Sequence, residues 1–226
     1  MTVLLAGAGA LAAFTGYLFI RRWLKYRYRT NGKVTAGASP EDWFIGPIVW
    51  GENRSNGMPL HPSPEPSALF AFDFPQEPGS VHYVTYRHGP LTGKKQIRMR
   101  YRIEADPDVE IVPLTDPAGS SKITLYFQRY GDDWSGKGKF DGYRWFDYWK
   151  TIEPITVGEF EIVASFDDDV WNAVQSSTSV SSPAAFYGAL GNADQVGVVF
   201  GGGTGLGHGV FATGRARFVM IEFAVE

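Results

Sequence analysis

The sequence contains no cysteine, and this absence excludes several kinds of site. Without thiols the chain cannot form disulfide bonds, thiolate zinc sites, iron–sulfur centres or a cysteine nucleophile. Histidine is scarce as well: the four histidines, at positions 61, 82, 88 and 208, have no helical or ligand-like spacing. There is also no Gly-x-Ser-x-Gly elbow and no His-Glu-x-x-His motif. We therefore assign no catalytic residue, no metal ligand and no cofactor.

Acidic residues are missing from the first thirty positions, which hold five basic ones. The remainder of the chain holds sixteen basic and twenty-four acidic residues, a net charge of −8. Proteins that bind nucleic acids gain much of their affinity by neutralising phosphates with cations. A net-acidic body therefore argues against a nucleic-acid partner.

An uncharged, mostly apolar run extends over residues 3–20. At about 1.5 Å per residue it spans roughly 27 Å, close to the hydrocarbon thickness of a bilayer. Cations and amphipathic aromatics follow it directly, as they do at a membrane interface. These interfacial residues are Arg21, Arg22, Trp23, Lys25 and Tyr26. We predict a transmembrane anchor over residues 1–29, with the lipid bilayer as a partner.

Two other interpretations of this segment remain open. A cleaved signal peptide normally carries positive charge before its apolar core, whereas here the charge follows it. Gly7-x-Gly9-x-x-Ala12 resembles a dinucleotide-binding turn, but the first acid of the chain is Glu41, too late to hold a ribose. A single span accounts for the pattern better, and its flanking cations place the amino terminus outside and the larger domain in the cytoplasm. The expected location is a bacterial inner membrane, with a lipid-containing virion as the alternative.

The body of the chain has the pattern of a mainly β protein. Residues 30–66 are rich in proline and glycine and are predicted to be a linker that packs on a domain over residues 67–226. Short apolar runs between turn residues then predict strands. These strands lie near residues 68–74, 80–87, 96–104, 122–130, 142–149, 157–164, 195–200 and 215–225.

Two short helices are predicted among these strands. One follows Asp167, which can cap it, and the other covers Pro183–Leu190, with Ser182 as N-cap. Eight or nine antiparallel strands with two short helices predict a two-sheet β-sandwich, most simply a jelly roll.

One predicted strand alternates apolar residues with arginines. The outward residues Arg98, Arg100 and Arg102 form a basic face, while their neighbours face the core. Surface acids could pair with these arginines. Alternatively, the face could bind an anionic ligand.

Aromatic residues are concentrated between positions 130 and 149. On a strand over 142–149 both faces would be aromatic, although a sandwich strand has one core face, so some rings must be exposed or covered by another segment. Exposed aromatic side chains of this kind can stack on sugar rings or anchor a protein–protein interface. The candidate binding residues here are Trp134, Tyr143, Arg144, Trp145, Tyr148 and Trp149.

A glycine-rich loop over residues 200–210 carries a further candidate, His208. The loop lacks the Gly-Lys-Ser/Thr ending of a phosphate-binding loop and leads into a strand, so close approach of a ligand or of neighbouring backbone explains it better. His208 could contact a ligand or hold loop carbonyls. Calcium binding by the aspartates at 167–169 or at 132–133 also stays open.

The order of these features resembles that of galactose-binding-like jelly-roll domains. The resemblance rests on Tyr126–Gly136, Tyr143–Trp145, Trp171, the Pro183–Leu190 segment, Val196–Gly202 and the closing strand 216–223. This architecture occurs in many carbohydrate-binding modules and in some assembly factors of membrane complexes. The resemblance implies that Trp134 and Trp145 face a ligand.

Two functions are therefore expected for a chain that is not an enzyme. The first is an accessory or assembly subunit that docks on an integral-membrane protein complex, with the aromatic residues as anchors. The second is a membrane-tethered carbohydrate-binding module with a glycan ligand. A polysaccharide-active enzyme is the remaining catalytic alternative.

Overall fold

The computed structural model describes residues 37–148, 153–169, 171–202 and 205–226. Within these ranges, no helix has both the length and the apolar character needed to cross a membrane. The predicted anchor, with its interfacial residues Arg21, Arg22, Trp23, Lys25 and Tyr26, lies outside the described residues.

The described part of the chain is mainly β. Two short 3-10 segments cover Pro40–Asp42 and Gly138–Tyr143, and one α helix, α1, covers Pro183–Leu190. The strands are β1 (Trp43–Gly46), β2 (Ile48–Val49), β3 (Glu52–Asn53), β4 (Phe70–Asp73), β5 (Tyr83–Arg87), β6 (Gln96–Ala105), β7 (Ile111–Pro113), β8 (Ser121–Arg129), β9 (Arg144–Asp147), β10 (Glu153–Pro154), β11 (Gly158–Ser165), β12 (Trp171–Ala173), β13 (Ala193–Gly202), β14 (Gly205–Leu206), β15 (Val210–Ala212) and β16 (Ala216–Val225).

The strands form antiparallel sheets. The larger sheet has the order β1-β5-β13-β8-β9-β12, with β10 beside β8 and β14 beside β13. The smaller sheet has the order β11-β6-β16-β4. Two further pairs, β7 with β15 and β2 with β3, complete the described structure. Every described pairing is antiparallel, an arrangement compatible with a β-sandwich.

Side chains from the two large sheets share one hydrophobic core. Phe72 on β4 meets Phe200 on β13 with ring centroids 6.1 Å apart. Trp43 on β1 lies 4.9 Å from Phe70 on β4. Contacts of this kind are the main stabilising contribution of such a fold, because burying an aromatic ring removes a large apolar area from water.

Most predicted strands are confirmed to within a few residues. In β6 the side chains of Ile97, Met99, Tyr101 and Ile103 are buried, as the alternation in the sequence predicts. Helix α1 begins at Pro183 and ends at Leu190, and Ser182 is its N-cap residue. The serine side chain makes no capping hydrogen bond there.

The helix predicted after Asp167 is wrong. Trp171 belongs to the short strand β12, which pairs with β9. The indole of Trp171 is fully buried, stacks on Phe166 at 5.6 Å and donates a hydrogen bond of 2.8 Å to the Ser165 carbonyl. These contacts hold the segment extended, and they outweigh the local capping signal.

The segment predicted as a linker contributes a strand to the larger sheet. Residues 43–46 form β1, which pairs with β5 at the edge of that sheet. Trp43 and Ile45 have no exposed surface, and the Trp43 indole donates a 2.9 Å hydrogen bond to the Gly37 carbonyl. The core therefore begins well before residue 67.

Candidate functional site

Two of the predicted binding residues, Trp134 and Arg144, lie together on the outer face of the larger sheet. They belong to a group that we call the outer-face cluster. Its members are Tyr83, Tyr126, Gln128, Asp132, Trp134 and Arg144. Strands β5, β8 and β9 supply four of these residues, and the loop after β8 supplies the other two.

A chain of hydrogen bonds runs through the outer-face cluster. The Tyr126 hydroxyl donates to Gln128 Oε1 at 2.8 Å, and Gln128 Nε2 donates to Asp132 Oδ2 at 2.7 Å. Arg144 Nε lies 2.9 Å from the same carboxylate oxygen, and Arg144 Nη2 donates to the Trp134 carbonyl at 3.1 Å. The buried charges and amides of the cluster are thus engaged with one another.

Trp134 covers this network. Its ring lies over the Arg144 guanidinium, 4.9 Å from ring centroid to Cζ, and meets the Tyr83 ring edge-on at 5.4 Å. Its backbone adopts φ of +68°, uncommon for a residue with a side chain, and its amide donates to Asp132 Oδ1 at 3.1 Å. Asp132 therefore both pairs with Arg144 and sets the loop that places the indole.

Burial and charge pairing shift the pKa values of the ionisable groups in the outer-face cluster, and for Arg144 the two effects oppose each other. Burial raises the pKa of Tyr83 to about 12 and holds the pKa of Tyr126 well above its usual value. Burial alone lowers the pKa of Arg144, but the Tyr83 and Asp132 oxygens outweigh it and raise that pKa overall. Both phenols are neutral and the arginine is charged at physiological pH.

The glycine-rich segment closes the cluster from the other side. Leu206 packs on Tyr83 and its neighbours, and a side chain at Gly207, where φ is +80°, would overlap the Tyr83 hydroxyl. Arg144 is buried and Asp132 is almost fully buried. The cluster is therefore a closed structural network rather than an open binding surface.

The other aromatic candidates are divided between the core and the surface. Trp145 has no exposed surface; its ring packs on Phe186 at 5.0 Å and its indole donates to the Gly142 carbonyl at 2.9 Å. Trp145 thus fills the core and presents no surface to a ligand. Phe146, on the opposite face of β9, packs on Tyr126 in the outer-face cluster. Tyr148 is half-buried just after β9, and Trp149 lies outside the described residues.

Tyr143 lies in an open cleft at the end of β8, where a 3-10 segment meets the start of α1. The strand predicted over 142–149 begins at Arg144, because Gly138–Tyr143 forms that 3-10 segment instead. The cavity has a volume of about 230 Å³. We call it the end cleft, and its polar and aromatic lining consists of Arg129, Lys139, Asp141, Tyr143, Ser177 and Ser182.

Both cations of the end cleft lie on aromatic rings. The Arg129 guanidinium carbon is 4.8 Å from the Tyr143 ring centroid, and Lys139 Nζ is 4.9 Å from that of Phe140. Within the described ranges neither cation forms an ion pair. The Asp141 carboxylate is engaged elsewhere, because Oδ1 accepts from the Gln175 backbone N–H at 2.7 Å and Oδ2 accepts from the Ser177 hydroxyl at 2.9 Å.

The predicted basic face is neutralised by glutamates on the same strand and on neighbouring strands. Arg98 lies 2.6 Å from Glu222 on β16 and 3.7 Å from Glu161 on β11. Arg100 pairs with Glu159 on β11, and Arg102 pairs with Glu104 at 2.8 Å. The arrangement matches the interpretation in which surface acids pair with these arginines, and it leaves little charge for an anionic ligand.

His82, rather than His208, holds the glycine-rich segment. His82 Nδ1 lies 2.9 Å from the Gly207 carbonyl oxygen, and Nε2 lies 3.0 Å from the Ser80 hydroxyl. Because a carbonyl only accepts, Nδ1 carries the proton and the Ser80 hydroxyl donates to Nε2. His208 is exposed at the turn. A contact of His208 with a ligand stays a prediction, while the structural contact described here is made by His82.

Sequence analysis did not select Arg129, Lys139 or Tyr187 as candidates, and it counted Tyr130 only as one of the aromatics between positions 130 and 149. Tyr130 and Tyr187 are 44% and 61% exposed, and Arg129 reaches toward Gly188, next to Tyr187 on α1. Nothing in the local pattern distinguishes Arg129, Lys139 and Tyr187 from ordinary surface residues. These side chains come close to one another only because the fold places the end of β8 beside α1.

Within the described ranges, no three histidine, aspartate or glutamate side chains come together in a way that could hold a metal ion. Comparison with known proteins adds no assignment: no protein-family model matches the chain, and no curated protein matches it significantly.

Proposed function

We propose that this chain is a non-catalytic accessory subunit of an integral-membrane complex, and that its β domain docks on a protein of that complex. In this proposal the sheets form a jelly-roll sandwich of the galactose-binding-like type. An anchor over residues 1–29 spans the bilayer, with the amino terminus outside and the β domain in the cytoplasm.

One observation carries the proposal: two exposed tyrosines, Tyr130 and Tyr187, and the half-buried Tyr143 lie near an arginine that has no ionic partner among the described residues. We call this group, Arg129, Tyr130, Tyr143 and Tyr187, the docking surface. Tyrosine and arginine are over-represented among residues that dominate protein–protein binding energy. A guanidinium held over a ring loses little side-chain entropy when a partner binds, so the group is already arranged for contact.

The contrast with the arginines of β6 supports this choice of surface. Those side chains are occupied by glutamates of the same chain, whereas the charge at Arg129 is open to a partner. Because Trp145 is fully buried and cannot contact a partner, we place the proposed contact at the tyrosines around α1 instead.

A carbohydrate-binding module is the second candidate, and one observation favours it. Tyr143 lies in the wall of an open cleft that also contains serine hydroxyls, and its ring meets that of Phe140 at 5.0 Å. Aromatic rings with nearby hydroxyls are typical of sugar sites. Against it, a cation already lies over one face of each ring.

Site-specific photo-cross-linking of the full chain in native membranes tests the proposal. A benzophenone amino acid at position 187 is compared with one at position 157, since Tyr187 and Val157 are 61% and 64% exposed. We expect one defined membrane protein to be cross-linked from position 187 and not from position 157. We also expect Arg129→Gln to reduce this product without lowering the melting temperature.

Identical products from both positions would contradict the proposal, because they would indicate random collision. No product from position 187, combined with binding of the detergent-purified chain to defined neutral glycans, would instead support the carbohydrate-binding function.

A further inference from the structure

We infer that the end cleft binds a carboxylate-bearing segment of the protein partner, with Arg129 and Lys139 as the anion-binding residues. This inference rests on the proposed docking function and names the chemistry of the contact. An aspartate or glutamate side chain of the partner is the group that the cleft recognises.

The position of Arg129 suits a carboxylate. The guanidinium carbon of Arg129 lies over the Tyr143 ring, 4.8 Å from its centroid. The five N–H donors of a guanidinium lie in one plane and form a rigid fork. A carboxylate can accept two parallel hydrogen bonds from such an edge, a geometry that is stronger and more selective than contact with a point charge.

The charge of the cleft also favours an anion. Arg129 and Lys139 line it, and their positive charge is not balanced by an ion pair in the part of the chain that the structure describes. Asp141, the carboxylate among the described residues of the lining, already accepts bonds from Gln175 and Ser177. A ligand carboxylate would therefore meet net positive charge, partly desolvated by the cleft walls.

A protein segment fits this surface better than a glycan. The apolar face of a sugar stacks on a free ring face, and Arg129 and Lys139 each cover one face of the rings concerned. The exposed rings of Tyr130 and Tyr187 extend the contact area beyond the cleft and offer apolar surface to side chains that flank an acidic residue.

Fluorescence anisotropy with the full chain in detergent tests the inference, using labelled hexaglutamate as the probe. We expect saturable binding that weakens as salt is raised. Arg129→Gln and Lys139→Gln should each weaken binding about threefold to tenfold. Arg129→Lys keeps the charge but loses the planar fork, so it should also weaken binding.

Lys137→Gln is the matched control, because Lys137 carries the same charge two residues from Lys139 and does not line the cleft. It should change the affinity by less than about twofold. An effect of Lys137→Gln as large as that of Lys139→Gln would overturn the inference, since it would indicate attraction by overall charge alone.

A labelled oligogalacturonate, which carries its carboxylates on sugar rings, tests whether the cleft prefers an acidic peptide or an acidic glycan. Preference for hexaglutamate supports the inference; equal binding, preference for the sugar or no binding of either probe overturns it. If the probes fail while cross-linking from position 187 still captures one membrane protein, the acidic segment is excluded and the docking function stands. Loss of both results removes the proposed function as well.

Discussion

Asp132 and Arg144 are buried charges of opposite sign, and each stabilises the other in the folded protein. The Asp132 side chain has no exposed surface and that of Arg144 has 9%. Removing one partner of such a pair leaves an unpaired charge away from water, which costs about 3–5 kcal/mol. We expect Arg144→Met to lower the free energy of unfolding by this amount, measured by urea unfolding of the intact chain.

The double variant Asp132→Asn with Arg144→Met tests whether the pair acts as a unit. Because both charges are then absent, we expect its loss of stability to be smaller than the sum of the two single losses by about 1 kcal/mol or more. Strictly additive losses would show that Asp132 and Arg144 contribute independently.

At the scale of elements, the glycine-rich segment depends on close approach to β5. Gly207 and Gly51 both have positive φ, +80° and +88°, but a side chain at Gly207 would overlap the Tyr83 hydroxyl, whereas Gly51 has open space. We expect Gly51→Ala to cost about 1 kcal/mol of stability from backbone strain alone. Gly207→Ala should cost about 1–3 kcal/mol more, because it adds overpacking. Equal melting temperatures for the two variants would contradict this packing.

The same segment should make the stability depend on pH through His82. Burial lowers the pKa of His82 below that of a free histidine, as it does for His88, and the positive charges of His208 and Arg54 add to the effect at His82. The unfolded chain therefore binds protons more readily than the folded chain, so stability falls as pH drops through about 6.5 toward the folded pKa. We expect His82→Gln to show a smaller loss of unfolding free energy between pH 7.5 and pH 5.5 than the parent chain. The same loss in both chains would exclude His82 as the source.

The sequence predicts elements whose signal is local and misses those that depend on tertiary contacts. The alternation in β6 and the Ser182–Pro183 start of α1 can be recognised from spacing alone. The extended conformation at Trp171 depends on contacts with Phe127 on β8 and with Phe166, which directly follows β11. The Arg129–Tyr143 contact joins the end of β8 to a 3-10 segment, so no local pattern reveals the docking surface.

At the scale of the whole molecule, β1 determines where the folded unit begins. Trp43 is fully buried against Phe70, Tyr86 and Phe223, so a chain that starts at residue 67 loses a central core side chain as well as a sheet edge. Removing a buried tryptophan costs about 3–5 kcal/mol, a large part of the roughly 5–15 kcal/mol that holds a domain folded.

We therefore expect residues 67–226 to melt well below residues 35–226, or to fail to fold, as measured by circular dichroism on heating. Residues 35–226 with Trp43→Ala are the control, since they keep the β1 backbone and lose one side chain. Their melting temperature should lie between those of the other two chains, because the β1–β5 ladder still protects the edge of the sheet. A chain of residues 67–226 as stable as residues 35–226 would show that residues 37–66 only pack on a domain that is already complete.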